Sequence, residues 1–283
     1  MSKPNGRLVD IACLVRIADE TPLAALRQAI ALAARAGAHL KLVLGIQTFV
    51  APYTPFMTTM ASSLATEVNQ KAEQKAASIE ETALAEAAAA GVSIEIEKVS
   101  GPFAEVAARA ANVARAADLV IVDQQHGALD TAEMLIEEAL FRSGRPVMIV
   151  SPKHTTLDEV KRVIVGWDGS AHAVRAVSDA LFVFPTIESV EILTVGGEKD
   201  LSRALPAADF ARHLARRGVE STLTDVDGKG RSVADVLDEY ATMRKADLIV
   251  SGAFGHSRLR EFLLGGVTVD LSSEAETSVL MAY

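Results

Sequence analysis

The chain alternates short aliphatic runs with longer stretches in which apolar positions recur every three to four residues. A short run bounded by polar or glycine residues predicts a buried strand, and the longer spacing predicts a helix. Runs of the first kind occur five times in each half of the chain: Val9–Val15, Leu40–Ile46, Ser93–Val99, Leu119–Val122 and Val147–Val150, then Val163–Trp167, Val190–Val195, Glu220–Val226, Leu248–Val250 and Val279–Ala282. Strands that alternate with helices predict an α/β fold with parallel sheets.

The second half repeats the pattern of the first. Ala117–Val122 corresponds to Ala246–Val250, and the final runs Arg145–Val150 and Thr277–Ala282 match in position. A repeat this long indicates a duplicated domain rather than a solenoid. The polar segment Ser151–Thr156 marks the boundary. The sequence therefore predicts two tandem Rossmann-like domains, residues 1–153 and 157–283, each a five-stranded parallel sheet with helices on both faces.

One segment breaks this symmetry. Ala61–Ala90 is rich in Ala and Glu and predicts a single long helix. The loop Tyr53–Met57 before it carries apolar side chains, which we expect to pack against the neighbouring domain. An apolar ligand beneath this loop is the weaker alternative.

Composition and charge exclude several classes of function. Apolar residues make up 49% of the chain and the formal net charge is −9, without a basic stripe, so we expect no nucleic-acid partner. Cys13 is the only cysteine; it lies in an aliphatic run and predicts a buried, inert thiol. No apolar run is long enough to span a membrane and the N-terminus lacks a secretory signal, so we expect a cytoplasmic protein.

A glycine-rich segment follows the strand Leu248–Val250. Gly252 and Gly255 allow a tight loop, and Gly265-Gly266-Val267-Thr268 precedes a helical stretch. Such a loop can present backbone N–H groups and a helix N-terminus to a phosphate. It also follows the end of a strand, where open α/β sheets bind ligands.

Asp168 follows the strand Val163–Trp167 in the same half. A carboxylate at this place can accept hydrogen bonds from ribose hydroxyls or a base amino group. The alternative is that Asp168 or Ser170 caps the following helix. The glycine loop in the same half favours ligand binding.

These segments resemble the nucleotide-binding members of the universal stress protein family, in the tandem form found in bacteria. The family motif is Gly-x-x-Gly, nine residues, then Gly-(Ser/Thr), and the spacing of Gly252, Gly255 and Gly265 fits it. The resemblance implies an adenine nucleotide alpha hydrolase-like fold that binds ATP, ADP or AMP, with or without Mg²⁺, at the strand tips. It implies that Asp168 meets adenine or ribose, that the backbone of Val195 lines the adenine pocket, and that the phosphates are surrounded by Gly252, Gly255, Gly265, Gly266, Val267 and Thr268.

The chain departs from the family motif at two positions. Gly266 stands where the motif has Ser or Thr, which removes a hydroxyl and keeps a backbone donor. Asp270 lies close behind the motif, where family members often carry an arginine. A carboxylate there weakens the binding of a triphosphate by like-charge repulsion.

The first half lacks the glycine loop. Arg16 stands where the second half has Asp168, and the strand Leu119–Val122 runs into Asp123 without a second glycine pair. The charged residues of this region fit no metal-ligand spacing, so we expect solvated loop and helix charges: Asp123, His126, Asp130 and Glu133. We interpret the first half as a degenerate, structural partner of the second.

The sequence thus predicts a stress-response protein that binds one adenine nucleotide in its second half. We expect the last strands of the two halves to pair and form an internal pseudo-dimer, and a further homodimer stays open. His256, beside the glycine loop, either approaches a phosphate or is exposed. The alternatives are a ligand-free interaction scaffold and a slow ATPase. The ATPase has little support, because no general base or carboxylate pair for Mg²⁺ is evident and no Walker motif occurs.

Overall fold

The computed structural model describes residues 8–18, 20–49, 58–124, 132–153, 157, 159–196, 205–253 and 266–283. Within these residues the strands are β1 (Asp10–Arg16), β2 (His39–Gln47), β3 (Ile94–Gly101), β4 (Leu119–Asp123), β5 (Val147–Val150), β6 (Arg162–Gly166), β7 (Ser189–Gly196), β8 (Glu220–Asp227), β9 (Leu248–Gly252) and β10 (Val279–Ala282). The helices are α1 (Ala24–Ala36), α2 (Thr58–Ala89), α3 (Phe103–Ala114), α4 (Ala132–Arg142), α5 (Ala171–Val183), α6 (Ala207–Arg216), α7 (Val233–Arg244) and α8 (Gly266–Glu274).

All of these strands belong to one sheet, in the order β3-β2-β1-β4-β5-β10-β9-β6-β7-β8. Neighbouring strands within each half are parallel, whereas β5 and β10 are antiparallel, with Leu280 opposite Met148. Each predicted strand is found, and its ends lie within two residues of the prediction. The predicted fold class, two tandem Rossmann-like units of five parallel strands, is confirmed, and the last strands of the two halves pair as expected.

Helices cover both faces of the sheet, so the strands are buried on both sides. Along β1, Ile11, Cys13 and Val15 face the layer of α1, α2, α5 and α6. The alternate residues Ala12 and Leu14 face α3, α4, α7 and α8. This alternation explains why continuous aliphatic runs, rather than alternating ones, mark the strands in the sequence.

The long helix predicted near Ala61–Ala90 is α2, which runs from Thr58 to Ala89. Its buried face begins at Ala76, and none of residues 62–75 is buried. The loop Tyr53–Met57 lies outside the described residues. Among the helices that the structure describes, none combines the length and apolar character needed to cross a bilayer.

Polar side chains connect the two halves across the middle of the sheet. Gln28 is 1% exposed. Its side chain accepts a hydrogen bond from the Leu157 backbone N–H at 2.6 Å and donates one to the Leu157 backbone carbonyl at 3.2 Å. Gln124 is also buried and donates to the Ala275 carbonyl at 2.9 Å. Breaking the contact between the halves would leave these buried groups without partners, which costs free energy.

Candidate functional site

The candidate site lies where the strand order of the second half reverses. The chain leaves β6 for β7 on one side, and β9 later pairs with β6 on the other side, with Ser251 opposite Gly166. The carboxyl ends of β6 and β9 therefore lie side by side at a topological switch point, where an open α/β sheet forms a crevice. Open α/β sheets bind their ligands in such a crevice.

The segment after β6 brings a carboxylate to this crevice. Asp168 Oδ1 accepts a hydrogen bond from the Ser170 backbone N–H at 3.0 Å, across Gly169, whose φ of +67° lies in the left-handed region. Ser170 Oγ accepts a hydrogen bond from the Ala173 N–H at 3.1 Å and caps α5. The helix-capping role is therefore that of Ser170, while Asp168 closes the turn at the edge of the crevice.

A buried aromatic pair anchors the end of β6. Trp167, the single tryptophan of the chain, stacks on Phe210 of α6 with ring centroids 4.7 Å apart. Its indole N–H donates to the Leu205 carbonyl at 3.1 Å. Because Trp167 directly precedes Asp168, its fluorescence reports on the site.

Gly252, the last residue of β9, contacts the first turn of α5. A Cβ placed there would lie 2.7 Å from the Ala173 backbone nitrogen and 2.8 Å from the His172 carbonyl carbon. Only glycine allows this close approach of helix and strand. The family motif implies a role for Gly252 beside the ligand, and the structure adds a packing role that the sequence does not predict.

Helix α8 begins at Gly266 and follows β9 along the chain. Gly266 is exposed, and a Cβ there would meet no atom of the described residues within 4 Å, whereas Thr268 is only 4% exposed. The first described turn of α8 therefore exposes the Gly266 backbone, while the Thr268 side chain is buried. Val267 is partly buried against the core. Gly255, Gly265 and His256 lie outside the described residues.

Val195 lies near the end of β7, opposite Val226 of β8. It is partly buried, and its Cγ1 would lie 3.2 Å from a Cβ at Gly228. The two neighbouring strand ends thus enclose the Val195 side chain and leave its backbone at the carboxyl edge of the sheet.

Asp270, on the second turn of α8, faces an acidic groove of about 560 Å³ between α7 and α8. Burial and the carboxylates of Glu274 and Asp235 raise the pKa of Asp270. Asp270 thus lies in the groove between α7 and α8, where burial and the neighbouring carboxylates disfavour its ionised form.

A family model described as the universal stress protein family matches residues 13–139 and again residues 159–282. The chain belongs to the universal stress protein family. Because each half gives its own match, it is a tandem member, as the sequence motifs predict.

Solved structures of similar shape support this assignment of the fold. A universal stress protein from Archaeoglobus fulgidus DSM 4304 is 17% identical, with a TM-score of 0.64, and the match covers 96% of this chain and 97% of that one. A functionally unknown protein from Pseudomonas aeruginosa PAO1 is 15% identical, with a TM-score of 0.55 and coverage of 96% and 92%. No curated protein matches the chain.

The first universal stress protein unit carries different residues at the matching strand ends. Ile11 lies opposite the first residue of β4, and Val163 lies opposite the first residue of β9, so these two positions are equivalent. Five residues further along, Arg16 therefore occupies the place of Asp168, as predicted. Arg16 is half-buried, and burial lowers the pKa of its guanidinium. A cation thus replaces the carboxylate at this edge.

Asp123 corrects the sequence analysis, which predicted a solvated charge. Its side chain is 4% exposed, and Oδ1 accepts a hydrogen bond from the Ala25 N–H of α1 at 2.8 Å. Burial raises the pKa of the carboxyl group from its ordinary value of 3.8 to about 7, against the opposing effect of the backbone bonds from Ala25 and Ala24. The prediction was wrong because β4 continues through Asp123 and α1 covers the strand end. Extending the alignment of Ala117–Val122 by one residue places Asp123 at the position equivalent to Gly252, and this would have identified it as a strand end.

The other charged residues after β4 provide no evidence for a metal site. His126 and Asp130 lie outside the described residues. In the described part of the chain, no group of three or more His, Cys, Asp or Glu side chains is placed to hold a metal ion.

Proposed function

We propose that this universal stress protein binds one adenine nucleotide in its second half, in the crevice between β6 and β9, and acts as a sensor or regulator in a stress response. The observation that carries the proposal is the arrangement at the switch point: β6 is followed by the Asp168 turn, and α8 follows β9 along the chain. One end of the crevice thus holds a hydrogen-bond acceptor and the other holds donors for an anion.

The two ends suit the two ends of a nucleotide. The carboxylate of Asp168 would accept hydrogen bonds from ribose hydroxyls or the adenine amino group. The backbone N–H groups of Gly266, Val267 and Thr268 would bind phosphate oxygens, assisted by the helix dipole. Val195 would line the adenine pocket through its backbone. Gly252, Gly255 and Gly265 complete the phosphate loop on the strength of the motif spacing.

The first half would then act as a structural partner. Arg16 and Asp123 take the places of Asp168 and Gly252, so the carboxylate and the glycine of the motif are both missing there. We propose domains at residues 1–153 and 157–283, joined as an internal pseudo-dimer through β5 and β10.

Isothermal titration of the purified chain with ATP, ADP and AMP tests this proposal. We expect one bound nucleotide per chain. Replacing Asp168 by Ala should weaken binding about 10- to 100-fold, since a hydrogen bond to a charged group contributes about 1.5–3 kcal/mol.

Asp227→Ala is the matched control. Asp227 ends the edge strand β8 and accepts a hydrogen bond from the Lys229 backbone N–H at 3.0 Å, with the same two-residue spacing as at Asp168, but away from the switch point. Equal losses in both variants, or no heat of binding in the unmodified chain, would contradict the proposal.

A further inference from the structure

Asp123 and Gly252 occupy the same place in the two halves of the sheet. Each is the last residue of its strand, and their partners are Val150 at the end of β5 and Ala282 at the end of β10. In the second half, Gly252 packs directly on the first turn of α5, which has its own cap in Ser170. In the first half, a buried carboxyl group separates the strand from the helix.

Helix α1 depends on this carboxyl group for its N-terminal hydrogen bonds. Its own N-cap residue is Leu23, which has no side-chain acceptor, and the Ala25 N–H donates to Asp123 instead. Asp123 therefore joins the end of β4 to the first turn of α1.

Among the residues that the structure describes, the strands and the helix packed around Asp123 carry few groups that could compensate an ionised carboxylate. Strand β5 (Val147–Val150) has no titratable side chain. Helix α1 carries Arg27, which faces Glu86 of α2, and Arg35 in its last turn. Strand β1 carries Asp10 at its start, the buried Cys13 thiol and Arg16 at its end. Burial, and in second place Asp123, raise the pKa of Cys13, so this thiol stays neutral.

We infer that Asp123 is a pH-sensitive latch between β4 and α1, which holds while its carboxyl group is protonated and loosens when the group ionises. A protonated carboxyl group still accepts the Ala25 hydrogen bond through its carbonyl oxygen. An ionised one is a buried charge that becomes more favourable when α1 opens and admits water. This inference does not depend on nucleotide binding in the second half.

The sign of the pH dependence follows from the position of the pKa. The folded state raises the pKa of Asp123 from 3.8 to about 7, so it holds the proton more tightly than the opened state does. The stability of the latch is therefore greatest at low pH and falls as the pH rises through the interval between these values. One linked proton corresponds to at most about a tenfold change in the opening equilibrium per pH unit.

Amide hydrogen exchange between pH 5 and 8 tests the latch, with rates expressed relative to those of the unstructured chain at each pH. We expect the protection of the α1 amides to decrease as the pH rises toward 7. The matching amides of α5 are the internal control, because Gly252 stands there in place of Asp123. Asp123→Asn keeps an acceptor for Ala25 and removes the titration, so it should abolish the difference between α1 and α5.

A second measurement uses only the unmodified protein and so does not depend on the folding of a variant. In the unmodified protein labelled with ¹³C at the Asp carboxyl groups, we expect one resonance to titrate near neutral pH. Protection of α1 and α5 with the same pH dependence, or a pH-dependent α1 in Asp123→Asn, would overturn the inference. So would the absence of any aspartate carboxyl resonance that titrates near neutral pH.

Discussion

At the residue scale, Gly266 is the most informative departure from the family motif. The position is the first described residue of α8, and no atom of the residues that the structure describes lies within 4 Å of the missing Cβ. A serine hydroxyl would therefore fit without displacing a neighbour and could donate to a phosphate oxygen. The absence of the hydroxyl affects ligand affinity rather than the fold.

Gly266→Ser should tighten nucleotide binding by up to about tenfold, because one added hydrogen bond contributes about 0.5–1.5 kcal/mol. Titration calorimetry measures the change. Gly266→Ala is the matched control, since it fills the same space with a methyl group and adds no donor. A serine variant that binds no better than the alanine variant would argue against a phosphate at the N-terminus of α8.

At the element scale, the contact between β9 and α5 positions the crevice. The backbone of His172 and Ala173 lies so close to Gly252 that a Cβ would require the helix to move. The Asp168 turn directly precedes this helix, so a shift of α5 also moves the carboxylate.

Gly252→Ala should lower the free energy of unfolding by about 1–3 kcal/mol, the usual effect of forcing a methyl group into a packed site. Urea denaturation measures this effect. The open position Gly266, changed to Ala, should leave stability nearly unchanged. If Gly252→Ala abolished binding at full stability, the glycine would serve the ligand rather than the helix.

The elements themselves could be predicted from the sequence, whereas contacts between elements could not. Strands such as Leu119–Val122 appear as aliphatic runs because both faces of the sheet are covered, which is a local signal. The burial of Asp123 depends on α1, about 98 residues away along the chain. The packing role of Gly252 likewise depends on α5, which no spacing rule connects to the glycine loop.

More of the candidate site than of these contacts could be predicted, because the family motif describes the site. Asp168 and Gly252 were placed at strand ends from the sequence, and the structure brings these ends together at the switch point. The division of roles between Asp168 and Ser170 required coordinates, since either side chain can cap a helix.

At the scale of the whole molecule, the halves share one sheet and buried polar contacts, so we expect them to unfold together. Gln28→Ala would leave the Leu157 backbone without its partner and should cost about 1–3 kcal/mol. Gln28 lies in the first half, while Trp167 reports only on the second. Urea transitions followed by Trp167 fluorescence and by far-ultraviolet circular dichroism should therefore shift by the same amount. A shift in the dichroism alone would show that the halves unfold independently.

The most direct test of nucleotide binding is thermal unfolding of the purified chain with and without ATP, ADP and AMP, together with nucleotide analysis of the denatured extract. A ligand that binds only the folded state stabilises it by about 2.7 kcal/mol at one hundred times its dissociation constant. We predict a higher melting temperature with at least one of these nucleotides, or adenine nucleotide in the extract, and a smaller effect at the same nucleotide concentration in Asp168→Ala. An unchanged melting temperature and an empty extract would contradict the account and favour a ligand-free scaffold.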